Sequence, residues 1–232
     1  MTDSIKCSII IPVLNEAQVL PRTLSYLHAW QAAGHEVIVV DGGSDDDSLA
    51  LSRPHVELCQ TSERGRAVQM NAGAHQAKYD WLIFLHADTQ LPPSALPVMQ
   101  AVFNDPGAVW GRFDIRLTGN SYLLSIIAWF MNLRSRLTGI ATGDQAIFAR
   151  KSDFISVGGF PTIALMEDIE LSSMLKAHAK PICLYEKVTS SGRRWEQNGV
   201  VPTILKMWRL RLKYFLGFRP DILEKEYNRD AR

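Results

Sequence analysis

The chain has 232 residues, room for one large domain or about one and a half. Its 25 Lys and Arg against 24 Asp and Glu leave a formal charge of +1, which argues against a protein that coats nucleic acid. With 47% hydrophobic residues it can bury a core, and its three scattered cysteines (Cys7, Cys59, Cys183) exclude a disulfide framework and fit a reducing, cytoplasmic setting.

The first hundred residues alternate strand and helix. Lys6–Pro12 (KCSIIIP) reads as a strand, and its apolar run is too short for a signal peptide. Glu16–Ala33 has helical apolar spacing, with Asn15 placed to cap it. Glu36–Val40 is the next strand and ends at Asp41. Ser44 and Asp47 resemble a capping box for a short helix. His55–Cys59 reads as a strand, Gly65–Lys78 as a helix, Trp81–Leu85 as a strand, and Ser94–Phe103 as a helix. Strands that are apolar throughout suit the middle of a parallel sheet covered on both faces.

The second half differs. Ala108–Leu117 predicts a longer strand and Ser121–Leu137 an apolar helix; its run Tyr122–Met131 is about half of a membrane span. Gln145–Ala149 predicts a short strand, Glu167–His178 a helix, and Pro181–Tyr185 and Lys187–Ser191 two last strands. Val201–Gly217 predicts a basic amphipathic helix, with Lys206, Arg209 and Lys213 on one stripe and Leu205, Trp208, Leu212 and Phe215 on another. That helix either packs on the domain or docks peripherally, through 203–217, on an anionic membrane. The pattern is read as one continuous domain over 1–232, with halves 1–104 and 105–232.

In an open parallel sheet, ligands bind beyond the carboxyl ends of the strands. Asp41 and Asp88 stand at two such ends, and Asn15 and Glu16 lie just past a third. The chain has neither G-x-G-x-x-G after its first strand nor a G-x-x-x-x-G-K-[ST] loop, which argues against a dinucleotide oxidoreductase and a P-loop NTPase. A rim of carboxylates facing an anionic ligand calls for a divalent cation, Mg²⁺ or Mn²⁺, and a nucleoside diphosphate derivative.

The series SIIIPVLNEA, VVDGGSDD, GRAVQMNAGA, LHAD and MEDIEL resembles the family 2 glycosyltransferases. A small single-domain bacterial subgroup also shares LHADT, GDQAIF and RRWE. The resemblance implies the GT-A fold, a Rossmann-like, mostly parallel central sheet flanked by helices, here with a C-terminal helical elaboration. It implies an inverting transfer of a sugar from a nucleotide diphosphate sugar to an acceptor hydroxyl, possible on a lipid-like or envelope acceptor. It places Pro12, Asn15, Glu16, Asp41, Arg66, Asn71, His86, Ala87 and Asp88 at the donor, with Asp88 on the metal. Asp168 matches the family's catalytic base. Asp144, Gln145, Glu167, Arg194 and Trp195 become acceptor-side candidates.

Two departures stand out. The family's D-x-D reads His86-Ala87-Asp88, so a histidine replaces the first acid. Ser191 stands where the processive members' Q-x-x-R-W has glutamine, which implies non-processive transfer. Two other readings are a degenerate scaffold, which would be expected to lose its acids, and a sugar-phosphate nucleotidyltransferase, which usually opens on a glycine-rich loop that PVLNEA lacks.

Overall fold

The structure, a computed structural model, describes residues 4–229, the side chains of Arg194, Asn228 and Arg229 excepted. In chain order the elements are β1 (Cys7–Val13), α1 (Leu20–Ala32), β2 (Glu36–Asp41), α2 (Ser48–Ser52), β3 (Leu58–Thr61), α3 (Arg66–Gln76), β4 (Trp81–Phe84), β5 (Thr89–Gln90) and α4 (Leu96–Asn104). Then follow β6 (Trp110–Thr118), α5 (Leu123–Thr138), β7 (Phe148–Arg150), α6 (Lys151–Ser156), α7 (Glu167–His178), β8 (Ile182–Ser191), α8 (Arg193–Asn198), α9 (Val200–Phe215) and α10 (Pro220–Arg229).

One sheet runs in the order β3-β2-β1-β4-β7-β6-β8-β5. Strands β1 to β4 pair in parallel, as do β6 and β8, while β7 joins the two groups antiparallel to both neighbours. The alternation of side chains along a strand divides β1 between two cores. Ile9, Ile11 and Val13 pack with Leu24, Leu27 and Trp30 of α1 on one face; Ile10 packs with Met70 and Ala74 of α3 on the other. The sheet is thus covered on both faces, as its continuous apolar strands predict.

Helix α3 approaches β1 closely because residue 73 is glycine. A Cβ there would come within 2.5 Å of Ile10 Cγ2 and 3.2 Å of Val40 Cγ2. The buried Gln69 amide donates to the Val13 and Val40 carbonyls at 2.7 and 2.8 Å, tying the ends of β1 and β2 to this helix. Across the sheet, Asn132 of α5 pairs with both backbone groups of Ile115 in β6, at 2.9 and 3.0 Å.

Several boundaries differ from the sequence reading. Helix α1 starts at Leu20, because residues 16–19 form a turn closed by the Val19 and Leu20 amides on the Glu16 carbonyl. Asn15 therefore caps no helix; it adopts φ +56° and accepts from the Asp45 amide at 2.8 Å. The Ser44/Asp47 capping box is absent, since Asp46 takes the Ser48 amide instead. Pro54 lies in a 3₁₀ turn over 53–55, which delays the expected strand to Leu58. The two last predicted strands are one, β8, and an irregularity between Arg112 and Asp114 of β6 absorbs the extra residues opposite.

The C-terminal helix reverses the expected use of its faces. Lys206 donates to the Tyr227 carbonyl, and Arg209 and Lys213 pair with Glu226, so the basic stripe lies against α10. The apolar stripe of Leu205, Trp208, Leu212 and Phe215 is exposed.

Gly73→Leu should lower stability by about 1–3 kcal/mol, because the added atoms meet two buried strand side chains. Urea unfolding checks this; an unchanged midpoint would mean that α3 can shift freely on β1.

Candidate active site

The site lies beyond the carboxyl ends of β1 and β4, where three loops converge. Past β1, Glu16 is fixed by its amide, which donates to Ser48 Oγ at 2.8 Å. Past β4 come His86, Ala87 and Asp88. From the far side, the loop between α5 and β7 brings Thr142–Asp144, and the start of α7 brings Glu167 and Asp168. The non-glycine residues with positive φ among those described are Asn15 (56°), Ala146 (47°) and Met166 (73°), all in these rim segments. Backbone strain of this kind gathers at functional sites, held by the structure around it.

A cavity of about 270 Å³ collects Pro12, Glu16, Arg66, His86, Ala87 and Asp88 on one side. On the other stand Asp144, Glu167, Asp168 and Trp195. A second cavity of about 790 Å³ runs along the start of α3 and the loop 162–165. The two share Pro12, Glu16, Arg66, Leu165, Glu167 and Tyr227, so they meet around the Arg66–Glu167 contact of 3.4 Å.

Asp168 is held by backbone. Its Oδ2 accepts from the Gly143 amide at 2.8 Å and its Oδ1 from the Ile169 amide at 2.7 Å. Burial raises its pKa to about 6, the neighbouring Glu167 charge adds to the rise, and the two amides and Arg66 oppose it. Glu16 is also raised, by burial first and then by the charge of Asp88. His86 Nδ1 lies 3.1 Å from Asp144 Oδ1, while its buried Nε2 has no hydrogen-bond partner. Residue 143 must be glycine, because a Cβ there would overlap that imidazole.

Four predicted site residues line neither cavity. Asn15 and Asp41 shape one loop instead: buried Asp41 accepts from the Gly43 and Ser44 amides at 3.0 and 2.9 Å. Asn71 holds both backbone groups of Phe160, at 2.8 and 2.9 Å, and so supports the 158–160 turn. Gln145 is fully buried and bonds Thr142 and Asn132. The side chain of Arg194 lies outside the described residues. The sequence reading missed Thr142, Gly143, Arg193, Arg211 and Tyr227, all of which line the first cavity. The motif GDQ was the one signal for Gly143, and nothing marked Tyr227, since α10 was not foreseen. Arg134 was also missed: its buried Nε and Nη2 have no hydrogen-bond partner, and it feels the charges of Asp168 and Asp144.

Among the described residues, no group of three or more His, Cys, Asp or Glu could hold a metal ion. Asp88 and Glu16 nevertheless offer two carboxylates to one cavity, near enough for one charge to shift the other. That donor set is too small for an all-protein cage. It fits an ion shared with phosphate oxygens.

Residues 8–154 match the family described as Glycosyl transferase family 2. The chain belongs to this family. It is 29% identical over 168 residues to the PGL/p-HBAD biosynthesis glycosyltransferase of Mycobacterium bovis, covering 66% of this family 2 chain and 62% of the relative. The chain thus spans about six-tenths of that relative's length. The fold matches that of S. aureus TarS 1-349 in complex with UDP-GlcNAc, with a TM-score of 0.65, 18% identity, and coverage of 81% of this chain and 58% of the other. It also matches the mannosyltransferase PcManGT of Pyrobaculum calidifontis, solved with GDP-Man and Mn²⁺, with a TM-score of 0.63, 18% identity, and coverage of 96% and 69%. These likenesses establish the GT-A architecture of the family 2 chain.

In Glu167→Gln the Asp168 carboxyl should titrate below about 6, because a neighbouring negative charge is gone. Carbon NMR of the side-chain carboxyls reads this; a titration that stays in place would mean that burial alone sets it.

Proposed function

We propose that this chain is an inverting glycosyltransferase that moves a sugar from a nucleoside diphosphate sugar to an acceptor hydroxyl. The observation that carries the reading is Asp168: a partly exposed carboxylate with a raised pKa, fixed by two amides, in the smaller cavity next to Glu167, where the two cavities meet.

In this reading the donor nucleotide occupies the larger cavity along Pro12 and Glu16, and its diphosphate passes Arg66 into the smaller one, toward Asp88. Asn15, Asp41 and Asn71 act behind it by shaping loops. Asp88, with Glu16 beside it, would hold a Mg²⁺ or Mn²⁺ ion together with diphosphate oxygens. Such an ion, when bound, neutralises charge on the departing diphosphate. The His86–Asp144 contact sets the floor next to the donor sugar, and Gln145 keeps that loop in shape.

The acceptor enters the smaller cavity, whose wall includes Trp195, Met207 and Leu210. That apolar wall supports a hydrophobic, lipid-like acceptor. Asp168 takes the proton of the acceptor hydroxyl as its oxygen bonds to the anomeric carbon. The bond from that carbon to the diphosphate breaks in the same displacement, which inverts the centre. Glu167, held by Arg66, keeps a second negative charge beside the base. Ser191, in place of glutamine, supports a non-processive transfer, and three free cysteines support a cytoplasmic setting. No described helix is long and apolar enough to cross a membrane.

Thermal shift with UDP, GDP, dTDP and CDP, with and without Mn²⁺, tests the donor site. One diphosphate at about 100 Kd should add roughly 2.7 kcal/mol of stability, and more with metal than without. No shift from any of them would sink the reading. Asp168→Asn should abolish transfer while leaving that shift intact, because the base acts in the transition state. In the parent enzyme kcat/KM should fall as pH drops through about 6, where Asp168 gains its proton.

A further inference from the structure

Helix α9 has two working faces. Its inner face packs on the start of α7: Leu210 and Met207 join Met166 and Ile169, the residues on either side of Glu167 and Asp168. The Tyr214 hydroxyl donates to Glu170 Oε2 at 2.6 Å, fastening α9 to the same turn. The outer face is an apolar row: Leu205 is 60% exposed, Trp208 68%, Leu212 60% and Phe215 70%. These positions follow helical spacing, so they form one continuous strip rather than scattered contacts.

Charge decides what this strip meets. Residues 193–229 hold nine Lys and Arg against four Asp and Glu, while the rest of the chain holds 16 against 20. Arg209, beside Trp208, and Arg219 keep 54% and 77% of their side chains exposed although each has an acidic partner. A symmetric pairing of two copies through this face would bring two such basic segments together, which like-charge repulsion opposes. An anionic bilayer offers both what the strip needs and what the arginines need: acyl chains below and phosphates above. Trp208 is the residue type that settles at that boundary.

We propose that the outer face of α9 inserts into the interface of an anionic membrane, with the cavity wall on the opposite face of the same helix. The apolar row is the inserting surface; of the basic stripe facing α10, only Arg209, still 54% exposed beside its Glu226 partner, reaches its edge. This inference stands on the α9 surface and not on the glycosyl-transfer reading.

The test is flotation of the full chain with vesicles of phosphatidylcholine alone and of equimolar phosphatidylcholine and phosphatidylglycerol. The parent chain should float with the mixed vesicles only, and less so as salt rises. Trp208→Ser/Phe215→Ser should reduce the bound fraction about tenfold, as expected from losing the inserted area. Neither residue lines a cavity, so the double variant should keep the parent's nucleoside diphosphate thermal shift. That control separates this proposal from the donor reading, since either can fail while the other holds. Equal flotation with both vesicles, or a double variant that floats like the parent, would overturn the proposal. So would an absence of flotation with self-association that the double variant abolishes, which would assign the strip to a second copy.

Discussion

The hydrogen bond from the Gly143 amide to Asp168 is the tie on which the site depends. It joins a loop carried by α5 to the first turn of α7, two segments 25 residues apart in sequence. Through Asp144, the same loop meets His86 at the end of β4. The amide thus fixes the far wall of the smaller cavity, and the His86–Asp144 contact ties that wall to the one beyond β4. The imidazole packed on residue 143 leaves no room for a side chain there, so the geometry tolerates little change. A carboxylate anchored by backbone cannot swing away, and what stays adjustable is its charge.

The frame that holds these loops comes from the way the sheet changes sense. The parallel group of β1 to β4 delivers its loops to one rim, as such sheets do. Strand β7 is only three residues long and antiparallel to both neighbours, so the chain leaves it near the opposite rim from where it entered. The long pair β6 and β8 runs toward the site, β6 leading into α5 and β8 releasing the chain into α8 and α9. Those helices, with Tyr227 of α10, complete the wall that the parallel half leaves open.

Much of this was legible in the residues. Apolar runs marked β1, β2 and β4, and the rim after β1 and β4 bears Glu16 and Asp88 as expected. What the sequence could not convey was where a polar side chain spends its hydrogen bonds. Asn15, Asp41 and Gln145 all stand at the right height, yet each turns to a neighbouring amide or side chain. The partner is decided by a left-handed φ or a tight turn, which composition does not reveal. Helix α10 was invisible because, among its described residues, PDILEKEYNR buries only Leu223 fully and draws its stability from α9. The amphipathic pattern of α9 was plain, but its apolar face was expected to choose between core and membrane on its own. In the fold Glu226 claims the basic stripe, and the apolar row is left outside.

The contact between Arg66 and Glu167 has a consequence for timing. Arg66 holds the Asp168 pKa down, and the Glu167 charge pushes it up. On the proposed reading, a diphosphate beside Arg66 would compete with Glu167 for the guanidinium. As Arg66 turns to the newcomer, Asp168 loses a stabilising cation and gains an uncompensated neighbour. On the proposed reading, its basicity would then rise when a donor binds. An acceptor that arrives first meets a weaker base, and an acceptor that arrives second meets a primed one. Under the proposed transfer, this one loose ion pair would therefore favour donor before acceptor.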